Sequence, residues 1–483
     1  MTKHGTARAT IVAGALLGVF ATRAGATEIR VATRGVERVA GTDAIQVVAH
    51  VTWKNAWRNA RNHDAAWLFV KMRIGPNGNW THVRLRGIAA DSANPSLTCS
   101  VAADGVGAFC APASMHRGSV SARIKLDIDM TGVPERVRAS PQLEGKVFGI
   151  EMVYIPEGPF SIGDKDVKST EYAAFYKSDA SGNHAGPFRL TSEAEVRVAP
   201  EAGVLYYRVN PNTAQFEGDR AGPIPAEFPK GTRAVYVMKY ELLQGQYADF
   251  LNHIGKESAF FRAIHGGPGY AEQRGSIRLD HYTYVADKPN RPANWVSWVD
   301  GTAFADWAGL RPMTELEFSK AARGPVDPAA GDYPWGTSSK QRLLRRMQPD
   351  DDLAQTGEAD ESRLTDSTRE ALGASYYWVM DLAGSVWEKV VTIGHPTGRA
   401  FKGTHGDGML REYGVATNAD WPAGDNETGG YGYRGGGYYE RGMPDRDFNP
   451  YSPVEWRRYG SWGGAPRSIA YGFRAARTAD PGR

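Results

Sequence analysis

Arg311-Pro312-Met313-Thr314-Glu315-Leu316-Glu317-Phe318, continued by Lys320-Ala321-Ala322-Arg323-Gly324, is the stretch from which the fold can be read. Thr314 is placed to cap a helix, because its hydroxyl can accept from a free N–H of the first turn. Glu317, three residues on, can reach back to the N–H of Thr314 and complete a capping box. Glu315 and Glu317 also favour the positive end of the helix dipole. Leu316, Phe318, Ala321 and Ala322 supply an apolar face. Isolated boxes of this kind are common and say only "buried helix". This one stands between Asn294-Trp295-Val296-Ser297-Trp298 and Tyr333-Pro334-Trp335-Gly336, and those tryptophans make it a landmark.

The rest of the chain is organised around that block. At 483 residues it is too long for one ordinary core, so two or three domains are expected. The composition is 41% hydrophobic and 23% charged, which fits a globular protein. With 56 Gly, 28 Pro and 22 Tyr, it predicts many turns and aromatic-anchored loops. A formal charge of +3 gives no reason to expect nucleic acid or an anionic membrane as partner.

Residues 1–26 read as a secretory signal. Lys3 and Arg8 precede an apolar run from Ile11 to Ala21, and Ala24-Gly25-Ala26 offers a cleavage site. The run is short for a bilayer span, no later segment is apolar enough for one, and no Cys stands at the cleavage site to carry a lipid. The expectation is an exported protein, periplasmic or extracellular, without an integral membrane segment. Only Cys99 and Cys110 are present. In an exported chain such a pair predicts a disulfide, with a two-cysteine metal site as the sharper alternative.

Residues 27–140 carry strand-like runs at 45–51, 66–72, 82–85 and 122–128, punctuated by Gly75-Pro76-Asn77-Gly78. They predict a β-sandwich of the immunoglobulin-like kind. Its tryptophans, Trp53, Trp57, Trp67 and Trp80, are read as core and rim, the other reading being a sugar-binding face. Pro134 to Gln142 is the expected linker, and Glu151 to Gly163 opens a second domain. Residues 165–230 look like an insertion with short strands. Leu243, Tyr247, Phe250, Leu251 and Ile254 predict an amphipathic helix over 242–254. An acidic loop follows at 349–370, and the last hundred or so residues are rich in Gly, Tyr and Arg. The fold class is therefore α+β.

Across 148–478 the motifs fall in the order seen in formylglycine-generating enzymes, also called sulfatase-modifying factors, and this region resembles that family. Met152 to Gly158 with Phe160 and Gly163 is similar to the family's opening strand. Tyr240-Glu241, Gln246-Tyr247 and Phe250-Leu251 are similar to its first helix. Pro292 to Trp298, Ala303-Phe304, Trp307 and Arg311 to Gly324 resemble the central block. Asp381-Leu382-Ala383-Gly384-Ser385-Val386-Trp387-Glu388 resembles the segment usually read G-N-V-W-E-W, and Arg434 to Gly437 with Gly472-Phe473-Arg474 resemble the closing motifs. The resemblance implies a low-regularity fold related to C-type lectins.

For chemistry, the resemblance implies a pair of copper-binding cysteines near the C-terminus, since soft thiolates suit Cu(I). No Cys occurs after Cys110, so copper-dependent formylglycine generation is not expected. The family's sulfoxide synthases use a three-His iron site on a helical bundle. Here the preceding domain is β-rich, and His50, His63, His82 and His116 lack the spacing. His395, His405 and Asp407 are left as a candidate two-His, one-carboxylate iron site. Pyoverdine-maturation relatives do not need those cysteines. Calcium is implied at the G-N-V-W-E-W loop through Glu388 and Ser385, weakened because Ser385 replaces an amide and Lys389 stands beside it.

Between 429 and 468 aromatic residues alternate with Gly, Ser and Arg, the composition of recognition loops. The candidate ligand-binding residues are Tyr433, Arg434, Tyr438, Tyr439, Trp456, Arg457, Trp462 and Arg474, with Asp445, Asp447 and Glu455 as polar candidates. No catalytic residue stands out. The favoured reading is an exported relative without the copper chemistry that binds a peptide, a glycan or an envelope protein. The rivals are a metal-dependent oxidoreductase, using iron or copper at a cysteine-free site, and an envelope scaffold.

Overall fold

The computed structural model describes residues 29–92, 95–212, 214–267, 269–344, 361–424, 429–438, 451–464 and 467–481. The predicted leader, residues 1–26, lies outside these, as does most of the acidic loop. The fold is α+β, with many short strands and short helices.

The N-terminal strands are β1 (Arg30–Arg38), β2 (Ile45–Arg58), β3 (Asp64–Ile74), β4 (Thr81–Val83), β5 (Leu85–Asp91), β6 (Leu97–Val101), β7 (Ala108–Pro112), β8 (His116–Ile128) and β9 (Leu143–Ile155). One antiparallel sheet has the order β1-β2-β8-β5. The second runs β9-β3-β7-β6, with β4 also on β3. Val47, Val51, Trp53, Ile124 and Leu126 of the first sheet meet Leu68 and Val70 of the second in a sandwich core. Cys99 and Cys110, opposite one another on β6 and β7, are joined in a disulfide.

The second sheet does not stop at the predicted linker. Pro134 to Gln142 holds a short helix, Glu135–Arg138, after which β9 pairs with β3 along its whole length. The other edge of β9 pairs with Val235–Met238, which pairs with Ala475–Thr478, which pairs with Arg311–Pro312. One sheet therefore runs from the sandwich into the second domain and ends beside the capped helix.

The reason is in the alternation of β3 and β9. Successive strand residues point to opposite faces. Ala66, Leu68 and Val70 enter the sandwich core, while Trp67 and Phe69, with Phe148, Ile150 and Met152 of β9, enter the core of the second domain. Each fully buried side chain of this size contributes roughly 1.5–3 kcal/mol, so the two parts are welded rather than linked. Trp67 Nε1 donates to Ala308 O at 2.8 Å, and the buried Lys71 donates to Trp307 O and Gly408 O at 2.7 Å each. Those first two carbonyls lie at the end of the Trp298–Trp307 helix, where a cation meets both unsatisfied acceptors and the negative end of the dipole. Trp53, Trp57 and Trp67 are core, and Trp57 packs on Trp378 with centroids 4.7 Å apart. Trp80 is half-buried at the seam.

The capped helix spans Glu315–Arg323. Thr314 Oγ1 accepts from Glu317 N at 3.1 Å, and Glu317 Oε2 accepts from Thr314 N at 3.0 Å. The predicted 242–254 helix is shorter, Gln244–Leu251. The chain breaks at Gly255 (φ 82°) and starts a second helix at Lys256–Arg262. Strands at Phe175–Lys177, Phe188–Leu190 and Leu205–Tyr207 occur in the insertion. Near the C-terminus a three-stranded sheet has Trp387–Val391 at its centre, antiparallel to Tyr431–Arg434 and parallel to Tyr471–Phe473.

Candidate functional site

Four arginines radiate from the capped helix and the small C-terminal sheet, and each is held internally. Arg311 is bidentate to Glu317, at 2.8 and 2.6 Å. Arg457 donates from Nε to Glu315 at 2.7 Å and lies 3.9 Å over the Phe175 ring. Burial opposes ionisation of Glu315, but the Arg457 and Arg434 guanidinium groups hold its carboxyl below the ordinary value. Arg434 donates to Ser319 Oγ and Val454 O. Arg474 donates to Glu388 at 2.7 Å and to the carbonyls of Met238 and Met380. Arg434, Arg457 and Arg474, chosen from sequence as ligand contacts, are each 0% exposed. Their fork-shaped donors fasten loops that have little regular structure of their own.

The aromatic candidates do come together. Trp387 packs against Trp456 (5.3 Å) and Tyr459 (5.7 Å), and Tyr433 packs against Trp462 (5.7 Å) and Tyr471 (4.7 Å). Tyr438 joins the same cluster and donates from its hydroxyl to Gln273 O at 3.0 Å. Trp387, Tyr433, Tyr438, Trp456 and Tyr471 are buried, whereas Tyr172, Tyr459 and Trp462 are half-buried at the surface side. Tyr439, Asp445 and Asp447 lie outside the described residues.

Beside this cluster lies a cavity of about 110 Å³ lined by Asp164, Asp166, Ser169, Tyr172, Glu455 and Trp456, among others. Tyr172 and Trp456 are near-parallel, 6.3 Å apart with 28° between planes. Three buried atoms of these lining residues make no hydrogen bond among the described residues: Ser169 Oγ, Trp456 Nε1 and Glu455 Oε2. Glu455 Oε1 is taken by Arg323 at 3.0 Å, and its Oε2 faces Arg434 at 3.9 Å. Burial pushes the Asp164 carboxyl up. Its oxygens accept from the Asp166 and Gly331 N–H groups. Asp164, Ser169 and Tyr172 were not singled out from sequence. Their signal was positional, since Asp164 follows directly on the opening strand motif that ends at Gly163.

The candidate metal ligands are placed differently. Glu388 is fully buried and paired to Arg474, and Ser385 is fully buried with φ 64°. Burial pushes Glu388 up to about 7 in spite of Arg474. Lys389, expected to repel a cation there, points the opposite way, as strand alternation requires, and donates to Val296 O at 2.6 Å. With its carboxylate already neutralised by an arginine, the loop does not fit a calcium cage. His395 Nδ1 accepts from Thr397 N at the start of a short helix, and His405 Nε2 accepts from Thr478 N at 3.1 Å. Each thus holds a backbone N–H through one ring nitrogen, and His405 Nδ1 lies 3.7 Å from Asp104. Among the described residues no three His, Cys, Asp or Glu side chains converge on one point. The chain's two cysteines are consumed in the sandwich disulfide, so the thiolate donors that copper would need are not on offer.

Comparison with known proteins agrees with this architecture. The sulfatase-modifying factor enzyme 1-like domain matches residues 213–479, so the match begins inside the insertion rather than at the opening strand. A formylglycine-generating enzyme of Thermomonospora curvata is 36% identical over 105 residues, 22% of this chain and 34% of that protein. A hercynine oxygenase of Mycolicibacterium smegmatis is 35% identical over 100 residues, 20% of this chain and 21% of that protein. An inactive C-alpha-formylglycine-generating enzyme 2 of Mus musculus is 30% identical over 118 residues, 24% of this chain and 36% of that protein. The matched part thus spans about a third or less of each relative's own length. On the strength of the domain match and the capped-helix framework that underlies it, the chain belongs to the sulfatase-modifying factor family.

Proposed function

We propose that this protein is an exported, non-oxidase member of its family that binds an extended peptide, seating one polar side chain in the cavity beside Trp456. The observation that carries this reading is the set of unsatisfied atoms on residues of the cavity wall. Buried polar groups in folded proteins are nearly always hydrogen-bonded. Here an indole N–H, a hydroxyl and a carboxylate oxygen, all on residues that line one small space, make no hydrogen bond among the described residues, the carboxylate oxygen facing only Arg434 at 3.9 Å. They offer a donor, a donor–acceptor and an acceptor, which suits an amide or hydroxyl side chain. The half-buried ring of Tyr172 lines the cavity, and those of Tyr459 and Trp462 continue from Trp456 in the same aromatic cluster, large rigid contact area at low entropy cost.

Two further features support the reading. The sandwich disulfide fits an oxidising compartment, and no helix among the described residues is long and apolar enough to cross a membrane. For the oxidoreductase reading, no cluster of three His, Cys, Asp or Glu side chains is found among the described residues.

The test is selection of binding peptides from a displayed random library on the purified full chain, followed by titration calorimetry. Trp456→Phe keeps the ring and removes the N–H, and Ser169→Ala removes the hydroxyl. Each is expected to weaken the selected peptides by about three- to tenfold, the worth of one hydrogen bond. Selected peptides that bind both variants as tightly as the parent would exclude the cavity as the recognition site. A library that yields no binders would remove the peptide reading altogether.

A further inference from the structure

The largest cavity described lies away from the aromatic cluster, on the seam between sandwich and second domain. It is a trough of about 1130 Å³, above the roughly 300–1,000 Å³ of ordinary small-molecule pockets. One wall is the Gly75–Trp80 turn of the sandwich. The other is the Lys256–Arg262 helix together with the hairpin formed by Ile277–Asp280 and Thr283–Ala286. It shares Lys146, Asp249, Asn252, Tyr284 and Val285 with a neighbouring cavity of about 540 Å³, so the depression continues along the seam.

Rings are presented here at a cost. Phe260 is 75% exposed and Tyr282 is 89% exposed, although neither contributes to a core. The hairpin tip uses His281 (φ 43°) and Tyr282 (φ 70°) where glycine or asparagine is the low-strain choice. Left-handed backbone at an ordinary residue costs about 1–2 kcal/mol. The turn therefore spends stability to hold Tyr282 out over the trough. Opposite it, Trp80 is braced by the Arg73 guanidinium, 4.5 Å from its ring, and by His253, 5.2 Å away.

Charge on the walls is cancelled by pairing except at Lys256, which also lines the trough. Arg73 is paired to Glu144 at 2.7 Å, and Lys146 to Asp249 at 3.1 Å. Asn252 is spent on both backbone polar groups of Tyr284. Asn77 and Asn79, exposed and with no side-chain hydrogen bond among the described residues, offer neutral amides on the sandwich side. Flat exposed rings, neutral amides and mostly paired charge disfavour an ionic ligand, and the amides disfavour a lipid.

We propose that this trough binds a neutral oligosaccharide, with sugar faces stacked on Trp80 and Tyr282 and hydroxyls hydrogen-bonded by Asn77 and Asn79. It is a second site, separate from the cavity beside Trp456. The two rings belong to different structural parts, Trp80 to the sandwich and Tyr282 to the hairpin of the second domain.

The test is calorimetric titration of the full chain with neutral hexasaccharides of glucose, xylose, mannose and N-acetylglucosamine. At least one is expected to bind. Tyr282→Ala and Trp80→Ala should each weaken it about tenfold, the scale of one aromatic contact, and Trp456→Phe should leave it unchanged. Tyr282 is so exposed that its variant keeps the parent's melting temperature, which guards against reading misfolding as lost binding. Failure of all four sugars to bind at their solubility limits would overturn the proposal. So would binding that survives both ring substitutions, a preference for an acidic uronic hexasaccharide, or displacement of the bound sugar by peptides selected on the Trp456 cavity.

Discussion

Removing Glu317 should strongly destabilise the protein. Its carboxylate accepts from Arg311 Nη1 at 2.8 Å, from Arg311 Nη2 at 2.6 Å and from Thr314 N at 3.0 Å. Glu317 is 2% exposed and Arg311 is 0% exposed. Glu317→Ala strands a buried guanidinium, which costs about 3–5 kcal/mol. It also opens the capping box, worth about 1 kcal/mol, part of which overlaps with the first loss. Glu317→Gln keeps one acceptor oxygen for Arg311 Nη1 and Thr314 N but sets an amide NH2 against Arg311 Nη2, so it loses the charge and one hydrogen bond, and about half that cost or more is expected. Thr314→Ala loses the cap to Glu317 N and the hydroxyl's bond to Pro229 O (2.9 Å), together about 1–2 kcal/mol. Thr314→Ser keeps both. Replacing the pair, as in Arg311→Met with Glu317→Leu, should recover most of the loss, because an apolar pair of similar volume needs no charge compensation. Urea unfolding followed by tryptophan fluorescence gives each value by linear extrapolation, and Arg311→Met and Glu317→Leu made singly complete a double-mutant cycle with the parent and the double variant. A cost below about 1 kcal/mol for Glu317→Ala, or a double variant worse than the sum of its singles, would refute the account of this helix as a charge-locked framework.

Three other outcomes are expected. His405 is held neutral because its Nε2 accepts from Thr478 N, and burial and nearby Arg477 push its pKa down to about 4 from the ordinary 6.5. The unfolded chain therefore takes up the proton first. Stability from this group is intact above about pH 6.5 and falls by up to about 3 kcal/mol on acidification towards pH 4, and His405→Gln should flatten that part of the profile. Replacing both cysteines by serine should cost about 2–3 kcal/mol, as the crosslink closes a short loop between positions 11 apart, read as a lowered urea midpoint. Chelation with EGTA should leave the melting temperature unchanged, since Arg474 already occupies Glu388; a fall of several degrees, reversed by calcium, would show that the cation and the arginine exchange.

What the sequence made legible was local or repetitive. The capping box at Thr314 and Glu317 depends on two residues three apart, and the bonds formed are those the spacing calls for. The disulfide needs only two cysteines and short separation. The aromatic residues between 429 and 468 read as recognition loops, and in the fold Tyr433, Tyr438, Trp456, Tyr459 and Trp462 pack with Trp387 into one cluster. The destination of the arginines was not legible. Arg457 finds Glu315 142 residues earlier, and Arg474 finds Glu388 86 residues earlier. Nothing in local spacing tells an arginine that reads a ligand from one that replaces secondary structure. The composition of a recognition loop and that of an internally fastened loop are the same. Asp164 and Ser169 escaped notice for the converse reason: they are ordinary residues in an insertion, and only folding brings them to Glu455 and Trp456.

The continuity of the sheet through β9 bears on function more than any single residue. Sequence periodicity marks strands but not which edges pair, and β9 reads equally well as the last strand of a sandwich or the first of a new domain. In the folded chain it is both, with β3 on one edge and Val235–Met238 on the other. Lys71, 1% exposed on β3, caps the helix that carries Trp307, so the sandwich helps hold the second domain's core in place. Lys71→Met should therefore loosen the second domain although the substitution lies in the first. The carbonyls of Trp307 and Gly408 would lose their donor, at about 1–3 kcal/mol for buried acceptors left unpaired. Hydrogen exchange is the measurement that separates the two accounts. Faster exchange confined to β3 and its sandwich neighbours would mean independent domains. Faster exchange at Trp298–Trp307 and in the 410–417 hairpin would mean that the sandwich is a structural part of the family domain in this chain.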